Sequence, residues 1–110
     1  PLFERDGADI YLEVPVTITD AILGCKKEIP TLYGNIILEI KPGTQNYTKL
    51  KIKGKGIKLP NKIGKGDMYA VINIITPTKL DRKQKALLQD LAKTDLEDAS
   101  EFKNFKKYMK

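Results

Sequence analysis

Seven lysines stand at positions 49, 51, 53, 55, 58, 62 and 65, with no acidic residue among them. Such a run attracts anions: nucleic acid, an anionic membrane or an acidic protein segment. Two glycine pairs, Gly54-Lys55-Gly56 and Gly64-Lys65-Gly66, bracket its second half. They form no phosphate cradle, because neither fits a P-loop pattern or opens a helix. Stacking of nucleobases needs aromatic rings between the cations, and the stretch from Lys49 to Lys65 has none. Thr48 to Lys53 alternates as a strand, with Leu50 and Ile52 on one face. Lys49, Lys51 and Lys53 fall on the other and form a candidate basic surface.

Catalytic chemistry finds little to work with. The chain has no histidine, which removes the commonest general base, the usual triads and most transition-metal sites. Cys25 is the single cysteine, without a disulfide partner or companions for a zinc site, and is expected to serve as a small buried apolar group. Asp6, Asp9 and Asp67 stand beside glycine turns, where loop chemistry accounts for them. We expect no enzyme, no metal and no cofactor. The excess of 20 basic over 14 acidic residues, net +6, keeps anionic partners in view.

The elements that must carry these residues are strands first. From Asp9 onward Ile10, Leu12, Val14, Val16 and Ile18 alternate with Asp9, Tyr11, Glu13, Pro15 and Thr17, a half-buried strand. Pro15 lacks an N–H, which predicts a sheet edge or a bulge. Thr19 to Gly24 reads as a one-turn helical connector, capped by Thr19 or Asp20 and ended by Gly24. Cys25 to Leu32 and Ile36 to Ile40 form a hairpin around Tyr33-Gly34-Asn35. Pro1 to Ala8 reads as a lead-in with Phe3 as an apolar anchor. Asp67 to Thr76 is apolar on both faces and predicts a central strand covered on both sides.

Two helices follow. Asp81 with Gln84 makes a capping box for the first, whose Leu87, Leu88, Leu91 and Ala92 share a face. Thr94 with Glu97 repeats that spacing and predicts a second helix from Thr94 to Lys110, acidic at its start and basic at its end, in line with the helix dipole. Leu96, Ala99, Phe102, Phe105 and Met109 form its apolar stripe. The division is therefore a β-rich part over 1–78 and a helical part over 79–110. At 110 residues the chain can bury about 65% of its unfolded surface, enough for one domain. It opens on Pro1 with no charged-then-apolar leader, and reads as a piece of a longer protein.

Five stretches, in order, carry a resemblance: FERDGADIYLEVPVTITDAILG, EIPTLYGN, KPGTQ, LKIKGKGIKLP and GDMYAVINIITPTKLDRKQKALLQDLAK. Together they resemble the second C-terminal domain of the DnaJ family of co-chaperones, over Pro1 to about Lys93. The resemblance implies a mainly β, sandwich-like domain with a short connecting helix and a C-terminal helix that pairs two subunits. It implies binding of unfolded polypeptide, work beside a DnaK-type ATP-driven chaperone, and a cytoplasmic or organellar location. By analogy with the sibling domain, Leu12, Val14, Ile29 and Thr31 would line a client groove, and Leu87, Leu88 and Leu91 the dimer seam. Acidic tail peptides of the ATP-driven partner could meet Lys49, Lys51 and Lys53. The family's ATPase-stimulating module needs a His-Pro-Asp motif, which a chain without histidine does not carry, and the cysteine-rich zinc module is likewise missing. The alternative is a basic β-domain that binds nucleic acid.

Overall fold

The computed structural model describes residues 2–60 and 63–109, so Lys62 of the lysine run and Lys110 of the basic tail lie outside it. The elements in order are β1 (Phe3–Asp6), β2 (Asp9–Val16), α1 (Ile18–Leu23), β3 (Cys25–Thr31), β4 (Gly34–Ile40), β5 (Lys49–Ile52), β6 (Met68–Ile74), α2 (Arg82–Ala92) and α3 (Ser100–Lys106). The chain divides into two compact units, Pro1–Thr76 and Pro77–Lys110.

In the first unit, β1, β2, β6 and β5 form a mixed sheet in that order, and β3 and β4 form a separate antiparallel hairpin. The β2–β6 pair is parallel, running from Ile10 opposite Met68 to Val16 opposite Ile74. Alternation then sorts the side chains. Ile10, Leu12, Val14, Met68, Ala70 and Ile72 turn inward and meet Ile29, Leu38 and Ile40 of the hairpin, and all are buried. The predicted mainly β fold with C-terminal helices is what forms.

Three strand expectations need correction. The lead-in is a strand: β1 pairs antiparallel with β2, Phe3 opposite Leu12 and Asp6 opposite Asp9. As a result β2 is no edge strand. Ile10 donates its N–H to the Asp67 carbonyl and the Val16 carbonyl accepts from Ile75, so even-numbered peptides face β6. Odd-numbered ones face β1, whose described residues reach only to Leu12, and Pro15 sits past that point where no donor is required. Finally, β6 is central but covered by the hairpin on one face only, since Tyr69 and Val71 point the other way and are half-buried.

The connector α1 is capped at Thr17, two or three residues earlier than its sequence suggests. Thr17 Oγ1 accepts the Asp20 N–H and the Asp20 carboxylate accepts the Thr17 N–H, a reciprocal capping box. The Thr17 N–H first, and the Thr17 hydroxyl after it, hold the Asp20 carboxyl below the usual aspartate range. In the second unit Asp81 and Gln84 cap α2 as predicted. The second helix is shorter than predicted. Thr94 donates its hydroxyl to the Leu91 carbonyl and Asp95 accepts the Glu97 N–H, so both predicted capping groups serve the connection and α3 begins only at Ser100.

The two described ends of the loop between β5 and β6 fold back on the sheet through backbone contact. Ile57 N–H donates to the Ala8 carbonyl, Gly56 N–H to the Gly66 carbonyl, and Gly66 N–H to the Ile57 carbonyl. A Cβ on Gly66 would lie 2.2 Å from the Ala8 carbonyl oxygen, and one on Gly56 2.4 Å from the same atom. Asp67 closes the loop: Oδ1 accepts the Gly54 N–H at 3.0 Å, Oδ2 stands 3.3 Å from Lys51 Nζ, and its own N–H donates to Asp9 at 2.8 Å. The Gly54 N–H first, and Lys51 after it, hold the Asp67 carboxyl below the ordinary range. The same pair raises the Lys51 ammonium.

Gly66→Ala must shift backbone rather than a flexible side chain, so it should cost about 1–3 kcal/mol or more in urea unfolding. An unchanged midpoint would show that the loop yields freely. The Asp67 contribution to stability is complete above the ordinary aspartate pKa and is lost as pH falls through the depressed folded value. Asp67→Asn, which keeps an acceptor for Gly54, should lower Tm at neutral pH by an amount that closes on acidification. A deficit independent of pH would exclude the charge as its cause.

Candidate functional site

Leu12 and Val14 on β2 and Ile29 and Thr31 on β3 lie on facing inner surfaces of the sheet and the hairpin. They are 2%, 2%, 3% and 9% exposed, so they belong to the core in the closed domain and present no open groove. Thr31 is there for a local reason: its hydroxyl donates to the Gly34 carbonyl at 2.6 Å and accepts the Tyr33 N–H at 3.0 Å, which shapes the hairpin turn and leaves only its methyl for packing. No backbone ladder joins the hairpin to the four-stranded sheet. Side-chain packing holds the two together, with one polar tie at the hairpin tip. There the Tyr33 hydroxyl donates to the Gly56 carbonyl at 2.6 Å, Lys65 Nζ lies 3.8 Å above the Tyr33 ring and Lys55 Nζ lies 5.8 Å from it. This tie joins residues far apart in sequence, and only the unusual presence of Tyr33 in a tight turn hinted at it.

The candidate basic surface is less uniform than the sequence suggests. Lys49 and Lys51 point outward from β5, while Lys53 follows the strand in a turn. Lys51 is engaged by Asp67. Lys49 reaches over Tyr11, 5.6 Å from the ring centroid. Tyr11 and Tyr69, opposite each other on β2 and β6, are stacked at 5.1 Å with planes 18° apart. Aromatic rings absent from the lysine run in sequence therefore stand beside it in space. Their 58-residue separation hid this: β2 and β6 had to be paired in register before the two tyrosines could be seen as neighbours.

In the second unit, Leu87 and Leu91 of α2 are 59% and 43% exposed, and Leu88 is half-buried. Spaced at i, i+1 and i+4 they form the apolar stripe predicted from the sequence. Among the described residues no cluster of three metal-ligating side chains occurs. Cys25 is half-buried against the core, and burial followed by the Asp20 charge pushes its thiol up, the reverse of an activated nucleophile. No helix is long and apolar enough to cross a membrane among the described residues.

The comparisons with known proteins bear on the first unit above all. The family described as DnaJ C terminal domain matches residues 1–77. A chaperone protein DnaJ of Geobacillus sp. (strain WCH70) is 49% identical over 88 residues, covering 80% of this chain and 23% of the relative. Those of Bacillus velezensis and Staphylococcus saprophyticus are 43% and 44% identical, covering 96% and 90% of this chain but 28% and 26% of their own lengths. The chain thus spans about a quarter of the curated relatives it matches. With the mixed sheet, the hairpin and the capped connector lying inside the matched residues, this chain belongs to the family of DnaJ C-terminal domains.

Proposed function

We propose that the chain is the polypeptide-holding and self-pairing part of a co-chaperone, one that binds exposed apolar stretches of non-native proteins and hands them to a DnaK-type ATP-driven chaperone. It is a non-enzymatic chaperone domain. The observation that carries the reading is the family match over residues 1–77.

The proposed client groove is the seam between β2 and β3, lined by Leu12, Val14, Ile29 and Thr31. Its side chains become available when the hairpin lifts from the sheet. A two-stranded hairpin is marginal by itself, and this one shares no ladder with its neighbour, so the seam is the domain's soft joint. Each client side chain buried there gains about 1.5 to 3 kcal/mol. Ordering the client segment costs about 2 to 5 kcal/mol. Binding at one groove is therefore weak and fast. Pairing two chains through Leu87, Leu88 and Leu91 lets one client span two grooves, which raises avidity by about 10²- to 10⁴-fold.

A nucleic-acid reading gains less support. Tyr11 and Tyr69 are stacked on each other, so their facing surfaces are not open to a base, and the carboxylates Glu4 and Glu13 stand on the same face of the sheet.

Fluorescence anisotropy of a labelled, extended, uncharged apolar peptide tests the client reading. Saturable binding should persist at high salt, ignore added RNA and weaken in Ile29→Val, which costs the fold only about 0.5–1.5 kcal/mol. An absence of peptide binding, with RNA bound at a log-log salt slope of about −0.7 for each phosphate neutralised, would overturn it. Sedimentation equilibrium tests the pairing. Wild-type chain should approach twice its 12.4 kDa mass, and the Leu87→Asp/Leu91→Asp variant should return to the single mass at equal concentration. A wild-type monomer, or a dimer indifferent to both aspartates, would remove α2 from the seam.

A further inference from the structure

The outward face of the four-stranded sheet carries side chains that the core does not use and the groove does not need. Register sets them in two rows. Lys51, Tyr69, Tyr11 and Glu4 follow one another across β5, β6, β2 and β1, and Lys49, Val71 and Glu13 lie in the row beside them. Charge is sorted along both: cations at the β5 edge, aromatic or apolar groups in the middle, carboxylates at the β1 side. The middle is a stacked ring pair, which stands rigidly at little entropic cost. At the β1 side a depression of 370 Å³ opens between Leu2, Glu4, Tyr11, Glu13 and Val71. Asn73 donates to the Glu13 carboxylate and holds it at the rim. The ion pairs among the described residues include neither Glu4 nor Glu13.

We propose that this face docks an extended polypeptide segment bearing a carboxylate, an apolar side chain two residues on, and a lysine or arginine two residues further, in either chain direction. The inference rests on the reading of the chain as a polypeptide binder. The spacing fits. Lys51 and Glu4 are three inter-strand steps apart, about 14 Å at about 4.8 Å per step. A segment crossing the strands at right angles turns residues i, i+2 and i+4 to the same side and covers about 13 Å over four residues at about 3.3 Å each. Its carboxylate meets Lys49, beside the Lys51 that Asp67 holds, its apolar group covers Val71 and the tyrosine edges, and its cation enters the depression lined by Glu4, Tyr11 and Glu13. A uniformly acidic strand, nucleic acid included, meets repulsion from Glu4 and Glu13 over the same span. The face thus adds a charge order to a domain whose groove reads only apolarity.

The test uses three labelled peptides with phenylalanine at the centre and serine spacers: one with aspartate and lysine on opposite sides, one with aspartate on both, one with lysine on both. Wild-type chain should prefer the mixed peptide. Lys49→Glu and Glu4→Lys should each weaken it by up to about fivefold, the range of an exposed ion pair. Glu4→Lys should improve binding of the aspartate peptide, and Lys49→Glu that of the lysine peptide. A destabilised fold could not produce that exchange of preference, and both substitutions lie on exposed positions. Charge reversals that leave all three peptides within twofold, or RNA that displaces the mixed peptide from wild type, would overturn the proposal. Binding of the uncharged apolar peptide without the mixed one would overturn this inference alone. Binding of neither would overturn it together with the reading beneath it.

Discussion

The parallel pairing of β2 with β6 is the constraint on which the first unit depends. Parallel neighbours cannot be joined by a tight turn, so everything between Val16 and Met68 must be threaded as a crossover. α1, the hairpin, β5 and the lysine-rich loop are all parts of it. Once Ile10 faces Met68, one set of alternating residues is committed inward and the other outward along seven paired positions. A slip of β2 by one residue against β6 would bury Tyr11 and Glu13 and expose Ile10, Leu12 and Val14. The loop between β5 and β6 reinforces that register, since Asp67 bonds Gly54, Lys51 and Asp9 on three separate segments. Glycine at 56 and 66 lets the loop backbone approach Ala8 closely enough to close the circuit.

The same constraint divides the domain mechanically. Hydrogen-bond ladders tie β1, β2, β6 and β5 into one body, whereas the hairpin joins it through side chains and the Tyr33 tie. Ladder bonds break cooperatively along a strand, while a side-chain interface parts one contact at a time. The proposed opening between β2 and β3 would therefore require no loss of sheet, and the capping box of α1 would be kept through it, since it lies wholly within Thr17 to Asp20.

Local chemistry was readable in the sequence wherever neighbours in sequence are neighbours in space. The alternation of β2, the short helix ended by Gly24 and the Asp81–Gln84 capping box all form, and so does the β3–β4 hairpin, although its turn is Leu32-Tyr33 and Gly34 and Asn35 already pair within β4. What escaped was set by distant partners. Phe3 to Asp6 has no alternation strong enough to declare a strand, and becomes one because Asp9 to Leu12 offers it a ladder. Pro15 suggested an edge, but its missing N–H falls on the side of β2 away from β6, so the β2–β6 ladder loses no donor. Thr94 and Glu97 had the right spacing for a cap, yet the Leu91 carbonyl and Asp95 were nearer partners. Four residues picked out as groove lining, Leu12, Val14, Ile29 and Thr31, are indistinguishable in sequence from core because in the closed domain they are core.

That identity of groove and core bears on how a holding domain can be both stable and useful. An open apolar groove of the same area would be a standing aggregation hazard. Keeping the apolar surface in a seam removes the hazard; if clients enter there as proposed, the free energy of closing the seam would be subtracted from each, and chains with few apolar groups would not meet that cost. The outward face has no such threshold, because Tyr11, Tyr69 and Lys49 stand ready without any displacement. Under the two proposals together, a segment that touches both surfaces would be held first by charge order and only then by apolar content, and its release would proceed through the weaker and faster of the two.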